Sequence, residues 1–199
     1  MRRLPVAKAA AAIVALVAGT AFAAPAAVPV YRELKDWIVA CDNQRTCIAK
    51  SAVEDESAAD TLKFRREAGA AGTLVASIAS DSAIDTSALR LDGKPLAQGL
   101  HWINDPDIGG YELKNDEALR LARSLAGGSA LQTSRDGSEP PVSLRGLAAA
   151  LLFIDDVQGR VGNQTAVLRV GTGAASAVPV APALPLLRAA PVPPPLPAE

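Results

Sequence analysis

The side chains of this chain that could do chemistry are few, and its two cysteines are the most informative of them. Cys41 and Cys47 stand between two short apolar runs, with five residues separating them. That spacing is wider than the Cys-x-x-Cys of redox proteins, and no helix is predicted to begin at Cys41 and activate its thiol. We therefore expect a structural disulfide at the end of a hairpin, which is typical of proteins that fold in an oxidising compartment.

A pair of adjacent carboxylates, Asp155 and Asp156, is the strongest candidate for acid–base chemistry. Carboxylate pairs serve hydrolases when their surroundings make one group an acid and the other a base. Together with Arg160 they could instead form a cation or ligand site, although the pattern is unlike a twelve-residue calcium loop. The structural alternative, which we favour, is that Arg160 and the backbone N–H groups of residues 159–162 satisfy both carboxylates.

The remaining catalytic motifs are weak. The run Asp85-Thr86-Ser87 lacks the glycine that follows Asp-Thr in aspartic proteases, and ordinary turns use the same residue types. His101 is the single histidine of the chain, so a typical zinc site is not predicted. No Gly-x-Ser-x-Gly or Ser-x-x-Lys pattern supplies an activated serine. We expect neither a metal ion nor a cofactor.

Another group of residues is better suited to recognising a partner than to catalysis. It consists of Arg45 at the tip of the hairpin, His101 and Trp102 in a loop, and Arg120 and Arg123 on a helix. The basic residues of the chain form no stripe, and only three Phe, two Tyr and two Trp are available for stacking on bases. We therefore expect no nucleic-acid partner.

An α+β fold is predicted for the elements that position these residues: a largely antiparallel sheet packed with two principal helices. The first helix has Asn115 as its N-cap and stops at Gly127. The second begins at Ser143 or Leu144 and runs to Ile154 with no wet face. Residues 31–36 lead into the first strand, and residues 98–111 are predicted to be an exposed loop. The predicted strands are 37–41, 47–49, 61–67, 73–79, 88–91, 130–133 and 165–170.

The N-terminus has the organisation of a secretory signal peptide over residues 1–23. Basic residues precede an uncharged run too short to span a bilayer, and Ala21 and Ala23 offer a cleavage point. Removal of this segment takes three of the 20 basic residues and leaves 17 against 21 acidic ones. We expect a periplasmic or secreted chain without a membrane span. Residues 24–30 form a lead-in, residues 31–170 one domain, and residues 171–199 a Pro-rich linker or tail.

Two segments of the chain resemble the DUF1176 family of exported bacterial proteins. They are KDWIVACDNQRTC at residues 35–47 and VSLRGLAAALLFIDDVQGRVGNQTA at residues 142–166. The resemblance covers most of residues 31–170 and implies no established activity. It also implies that members continue past a Pro-rich stretch into a second half with more cysteines. A weaker similarity, through the Trp-to-Cys strand and the Ser-Leu-x-Gly-x-x-Ala-Ala-Leu helix, is to exported proteins of the invasion-associated locus B type.

The leading expectation for function is a non-catalytic binding or interaction module of the cell envelope, whose partner is another envelope protein or a cell-wall component. The first alternative is a periplasmic hydrolase that uses Asp155 and Asp156 as its carboxylate pair. The second is a protein of two halves whose site needs a C-terminal part beyond this sequence. The sequence predicts neither the ligand nor the oligomeric state.

Overall fold

The computed structural model describes residues 27–52, 61–80, 84–96, 99–134 and 139–184. The predicted signal peptide, residues 24–26 of the lead-in and the last 15 residues of the Pro-rich tail lie outside these ranges. No helix in the described part of the chain is long and apolar enough to cross a membrane.

Strands predominate in the order of elements, and two α-helices follow late in the chain. The elements are β1 (Val30–Leu34), β2 (Trp37–Cys41), β3 (Cys47–Ser51), β4 (Thr61–Arg66), β5 (Leu74–Ala79), β6 (Arg90–Leu91), β7 (Lys94–Pro95), β8 (Ile103–Asp105), β9 (Gly110–Lys114), α1 (Asp116–Leu125), β10 (Ala130–Gln132), β11 (Val142–Ser143) and α2 (Leu147–Val157). A short 3-10 turn, Ala175–Ala177, comes after α2. The predicted α+β class is confirmed.

The larger sheet contains seven antiparallel strands in the order β1-β2-β3-β4-β5-β9-β8, and α1 and α2 pack against it. Side chains alternate between its faces, as the pleat of a strand requires. In β2, Trp37, Val39 and Cys41 are buried, whereas Ile38 and Ala40 are not. Cys41 lies opposite Cys47 in the β2–β3 register, with Cα atoms 4.0 Å apart, and their sulfurs form the predicted disulfide.

A smaller sheet of four short strands has the order β11-β10-β6-β7. It is joined to the larger sheet by hydrogen bonds around the β1–β2 turn. The indole Nε1 of Trp37 donates to the carbonyl oxygen of Ser143 over 3.0 Å, and the Ser143 hydroxyl donates to Asp36 Oδ2 over 2.6 Å. This turn therefore fixes where α2 begins.

Both predicted helices are present; α1 begins after Asn115 as predicted, whereas α2 begins later than predicted. Asn115 precedes α1 as expected, yet its φ of 50° turns the backbone and its side chain caps nothing. α2 begins only at Leu147 because Gly146 has a φ of 102° and residues 142–143 form β11. Its predicted lack of a wet face is also wrong, since Ala149 is exposed and Phe153 is only partly buried.

Three predicted segments have different structures. Residues 30–34 are a full edge strand rather than a lead-in, and residues 98–111 contain β8 and the start of β9, which form a hairpin. The predicted closing strand at 165–170 is absent, and this segment has an irregular backbone. Side chains, together with backbone groups of residues 162 and 163, bind its backbone in place of a neighbouring strand. The other predicted strands are present with ends shifted by one or two residues.

Candidate functional site

The predicted carboxylate pair at the end of α2 is divided by the geometry of the helix. Asp155 is fully buried, whereas Asp156 is exposed. Neighbouring residues of an α-helix point about 100° apart, so one of the two faces the core and the other faces solvent. The structure does not bring these two carboxylates into one cleft.

Asp155 holds the irregular segment that follows α2. Its Oδ2 accepts the backbone N–H groups of Val167 and Leu168 over 2.8 and 3.3 Å. These donors lie beyond the turn 159–162 that was expected to supply them. Burial raises the pKa of the Asp155 carboxyl, against the opposing effects of these two N–H donors and of Arg66 and Arg160. Its Oδ1 is buried and has no hydrogen-bond partner.

Arg160 is fully buried, and its guanidinium binds amide, hydroxyl and carbonyl oxygens rather than a carboxylate. Its Nε donates to Gln158 Oε1 and its Nη1 to Thr165 Oγ1, both over 2.8 Å. Its Nη2 donates to the carbonyl oxygens of Glu67 and Gly69 over 3.2 and 2.5 Å. Burial lowers the pKa of this guanidinium to about 10, and the neighbouring Arg66 adds to the effect. Arg160 thus ties the end of α2 to the β4–β5 turn.

Two further arginines, Arg66 and Arg123, bind carbonyl oxygens of the irregular segment 165–170. Arg66 Nη2 donates to the carbonyl oxygen of Thr165 over 3.0 Å. Arg123 donates from Nε to the carbonyl oxygen of Val167 over 2.8 Å and from Nη2 to that of Ala166 over 3.1 Å. We call Arg66, Arg123, Asp155 and Arg160 the arginine clasp. Its bonds have a structural role, and they fix Arg123, which was predicted to face a partner.

Arg45 also lies away from the other predicted surface residues. It has a φ of 60° in the β2–β3 turn, and its carbonyl oxygen accepts Gln158 Nε2 over 2.7 Å. The same Nε2 donates to the carbonyl oxygen of Arg66 over 3.0 Å. Gln158 therefore links the disulfide-closed hairpin to the end of α2, and within the described residues no hydrogen bond or ion pair joins Arg45 to His101.

The structure does bring His101 and Arg120 together, around Glu117. His101 Nδ1 lies 2.7 Å from Glu117 Oε1, which also accepts the His101 backbone N–H over 3.2 Å. Arg120 Nη2 donates to the same oxygen over 3.3 Å and to the carbonyl oxygen of Gly99 over 3.2 Å. The hydrogen bond from His101 lowers the pKa of the Glu117 carboxyl. His101 and Arg120 remain largely exposed, with 88% and 62% of their side chains accessible.

A cleft of about 260 Å³ adjoins this cluster. Trp102 forms part of its wall and is half-buried against the core. Gly99, whose carbonyl oxygen binds Arg120, belongs to both the cleft and the cluster. The other lining residues are Thr86, Ser87, Leu89, Pro95, Leu96 and Leu100. We call this the Trp102 cleft.

A larger cleft of about 500 Å³ lies where the β1–β2 turn meets the start of α2. Its charged residues are Glu33, Lys35 and Arg145, and small residues such as Gly128 and Ala149 form much of the remaining wall. None of the residues predicted from the sequence to form a site lines it. It contains no pair of groups arranged as a nucleophile and a base.

Sequence reasoning missed Glu117 as the centre of the exposed cluster. Two signals could have found it: its place in the first turn of α1 and its spacing of three residues from Arg120. The contribution of Leu89 and Pro95 to the Trp102 cleft depends on packing between distant segments, which local patterns do not show. Within the described ranges, no group of three or more His, Cys, Asp and Glu residues is placed to hold a metal ion.

Comparison with known proteins identifies the family of the chain. It belongs to the family described as "Protein of unknown function (DUF1176)", whose model matches residues 31–199. YpfG of Escherichia coli (strain K12) is 37% identical over 171 residues, which cover 79% of this chain and 47% of YpfG. The chain thus spans about half the length of this curated relative.

A solved structure, the invasion associated protein b from Bartonella henselae, is also similar to this chain. The TM-score is 0.46 and the sequence identity 17%, over 65% of this chain and 99% of that one. The assignment to DUF1176 made from the sequence is confirmed by the match to the family model.

Proposed function

We propose that this protein is a non-catalytic binding module of the bacterial cell envelope, periplasmic or secreted, whose partner is another envelope protein or a cell-wall component. The observation that carries the proposal is how the polar side chains are used. Asp155 and Arg160 are buried and bonded to the protein's own backbone and side chains. His101 and Arg120 are instead exposed beside a cleft whose lining includes Trp102 and three leucines.

The composition of this face suits recognition. Arg and Trp are among the residues that contribute most to binding energy at protein interfaces. Trp102 offers a large apolar ring, and the bonds to Glu117 hold Arg120 and His101 in place before a partner arrives. Such preorganisation reduces the side-chain entropy lost on binding.

The proposed location follows from the disulfide. Bacterial cytoplasm keeps thiols reduced, so a structural bridge between Cys41 and Cys47 favours an oxidising compartment outside it. The segment proposed as the signal peptide, residues 1–23, supports the same location.

Site-specific photo-crosslinking in living bacteria tests the binding role. A photoreactive amino acid replaces His101 in one strain and Lys50, an exposed residue of β3, in a control strain. We expect a discrete adduct from position 101 alone, which forms again with the purified partner and is lost in a Trp102→Ala, Arg120→Ala background. The absence of any adduct at 101, or the same adduct from both positions, would contradict the proposal.

A second candidate function is suggested by the length of the relative. Since this chain spans about half of YpfG, the exposed face could bind a second half of the same protein. The intact mass of the native gene product decides whether such a half exists. If it does, this candidate predicts that the crosslink from position 101 falls within one polypeptide, whereas the envelope-partner proposal predicts a link between two.

A further inference from the structure

The Trp102 cleft has the chemistry of a site for extended polypeptide. Its walls combine Trp102 and Pro95 with three leucines, Leu89, Leu96 and Leu100. Its volume of about 260 Å³ lies below the roughly 300–1,000 Å³ of typical small-molecule pockets. A cleft of this size is better filled by a few side chains that project from a chain lying across it.

The indole N–H of Trp102 is a donor without a partner. The chain contains two tryptophans, and the other one, Trp37, is fully buried and donates its N–H to Ser143. Trp102 is half-buried, and within the described residues its Nε1 makes no hydrogen bond. An aromatic ring in an apolar groove, with a free N–H at its edge, is suited to a polyproline II helix, whose backbone carbonyls have no internal hydrogen bonds.

The chain carries a matching ligand in its own C-terminal segment. Residues 185–199 contain six prolines, among them Pro191 and Pro194. A polyproline II helix has three residues per turn, so these two prolines would lie on the same face while Pro193 and Pro195 would not. Arg188 extends the same spacing of three.

The reach of the segment is set by where its two prolines lie. Pro191 and Pro194 are seven and ten residues beyond Leu184, the last described residue, so at roughly 3.1 Å per residue of polyproline II they extend up to about 22 and 31 Å from it. A domain of about 150 residues has a radius of gyration of about 15 Å, so this reach covers the side of the domain around Leu184. The chain before Leu184 and the cleft are both bonded to α1, since Arg123 binds the carbonyl oxygens of Ala166 and Val167 and Arg120, one helical turn away, binds that of Gly99.

We infer that the Trp102 cleft binds the Pro-rich segment 185–199 of the same chain through Pro191 and Pro194. This inference goes beyond the proposed function, because it places a segment of the chain itself on the face that a partner would use. Tethering provides a local concentration of about 1 mM, so even a Kd of about 100 µM leaves the segment about 90% docked. A partner at this face then competes with the tail.

Nuclear magnetic resonance of the full chain tests the inference with its two indole N–H signals. The variant Pro191→Ala, Pro194→Ala is compared with a matched control, Pro193→Ala, Pro195→Ala, which removes as many prolines from the other faces of the helix. We expect the first variant to shift the Trp102 signal and the control to leave it near its wild-type position. A tenfold loss of affinity would lower the docked fraction from about 90% to about 50%. The Trp37 signal should stay unchanged in both variants.

The possible results distinguish docking of the chain's own tail from binding of the tail of a second copy. A Trp102 signal that is unmoved in the first variant, or equally moved in both, overturns the inference. A wild-type signal that changes with protein concentration points to the tail of a second copy and also overturns docking within one chain. Photo-crosslinking from position 101 to a separate partner is measured independently. The proposed function can therefore fail while the tail still docks, and the reverse.

Discussion

At the scale of single residues, Asp155 shows how a group with a catalytic character can serve the fold. It is buried, its pKa is raised, and it lies in an arginine-rich environment, which are properties that often mark active sites. Its bonds, however, go to the backbone of residues 167 and 168, and its sequence neighbour Asp156 faces solvent. The contacts of Asp155 are those of a structural residue.

Two substitutions of Asp155 distinguish the effect of its hydrogen-bond acceptor on stability from the effect of its charge. Asp155→Ala leaves the N–H groups of Val167 and Leu168 without an acceptor, so we expect a loss of about 1–3 kcal/mol in the free energy of unfolding. Asp155→Asn keeps an acceptor oxygen and should cost less. Urea denaturation of both variants measures the difference. Equal losses in the two variants would mean that the charge, rather than the acceptor, stabilises the segment.

The raised pKa of Asp155 also predicts a pH dependence. Its carboxyl holds a proton more tightly in the folded than in the unfolded chain, so wild-type stability should fall as pH rises from the unfolded value, near 3.8, to the higher folded value. Asp155→Asn has no such proton. We expect the unfolding free energy of the wild type, minus that of this variant, to decrease across the window and to become level above it. A difference that grows with pH would contradict the sign.

At the scale of elements, patterns within a strand or helix predicted more than contacts between segments. Trp37, Val39 and Cys41 alternate with less buried neighbours in β2, and this local signal sufficed for the hairpin and its disulfide. The segment 165–170 has similar strand-forming residues but lies against side chains of the arginine clasp, which satisfy its backbone. Propensity alone does not reveal such bonds, because the side chains that make them lie outside the segment.

For the candidate site, too, the residue types could be predicted from the sequence, whereas the contacts between distant segments could not. His101, Trp102 and Arg120 were recognised as residue types suited to binding, and the structure places them at one end of α1 and the adjoining cleft. Arg45 and Arg123 were predicted on the same grounds, but the carbonyl oxygen of Arg45 binds Gln158 and the side chain of Arg123 binds the carbonyl oxygens of residues 166 and 167. Exposure and partnership are properties of the packed chain, so a residue list could not separate these groups.

Gly146, just before α2, is predicted to tolerate substitution poorly. A Cβ on Gly146, where φ is 102°, would lie 1.9 Å from the carbonyl oxygen of Leu34. Gly162 has a φ of 76° but open space around it. Gly162→Ala should cost about 1–2 kcal/mol, the strain of a left-handed backbone alone. We expect Gly146→Ala to be clearly more destabilising in thermal unfolding, because the overlap adds to that strain. Similar losses would show that the β1–β2 turn moves aside easily.

At the scale of the whole molecule, one face of the seven-stranded sheet and two helices form the core, while the ends of α1 and α2 carry the polar clusters. Membership of the DUF1176 family assigns the chain to a group without a described activity. In the proposed binding face, Glu117 and Arg120 lie on α1 and bond to His101 and Gly99, which lie in the irregular segment before β8. The helix thus anchors the loop residues of this face.

The proposed export of the chain predicts its mature mass. Protein recovered from the periplasm should begin at residue 24 and be two hydrogens lighter than its reduced form, because Cys41 and Cys47 are bonded. Reduction should lower the unfolding free energy by roughly 2 kcal/mol, from the short loop that the bridge closes. Mass spectrometry with and without reductant checks the first result, and denaturation checks the second. An uncleaved chain with two free thiols would contradict the proposed location.

The contrast between the two tryptophans gives the molecule two natural optical reporters. Trp37 lies in a dry environment 6.2 Å from the ring of Phe64, so its emission should be blue-shifted and inaccessible to acrylamide until the core melts. Trp102 is only half-buried, so its emission should lie at longer wavelength and be quenched readily whenever nothing occupies the cleft. One spectrum can therefore report global melting and occupancy of the exposed ring as separate signals, without any added dye.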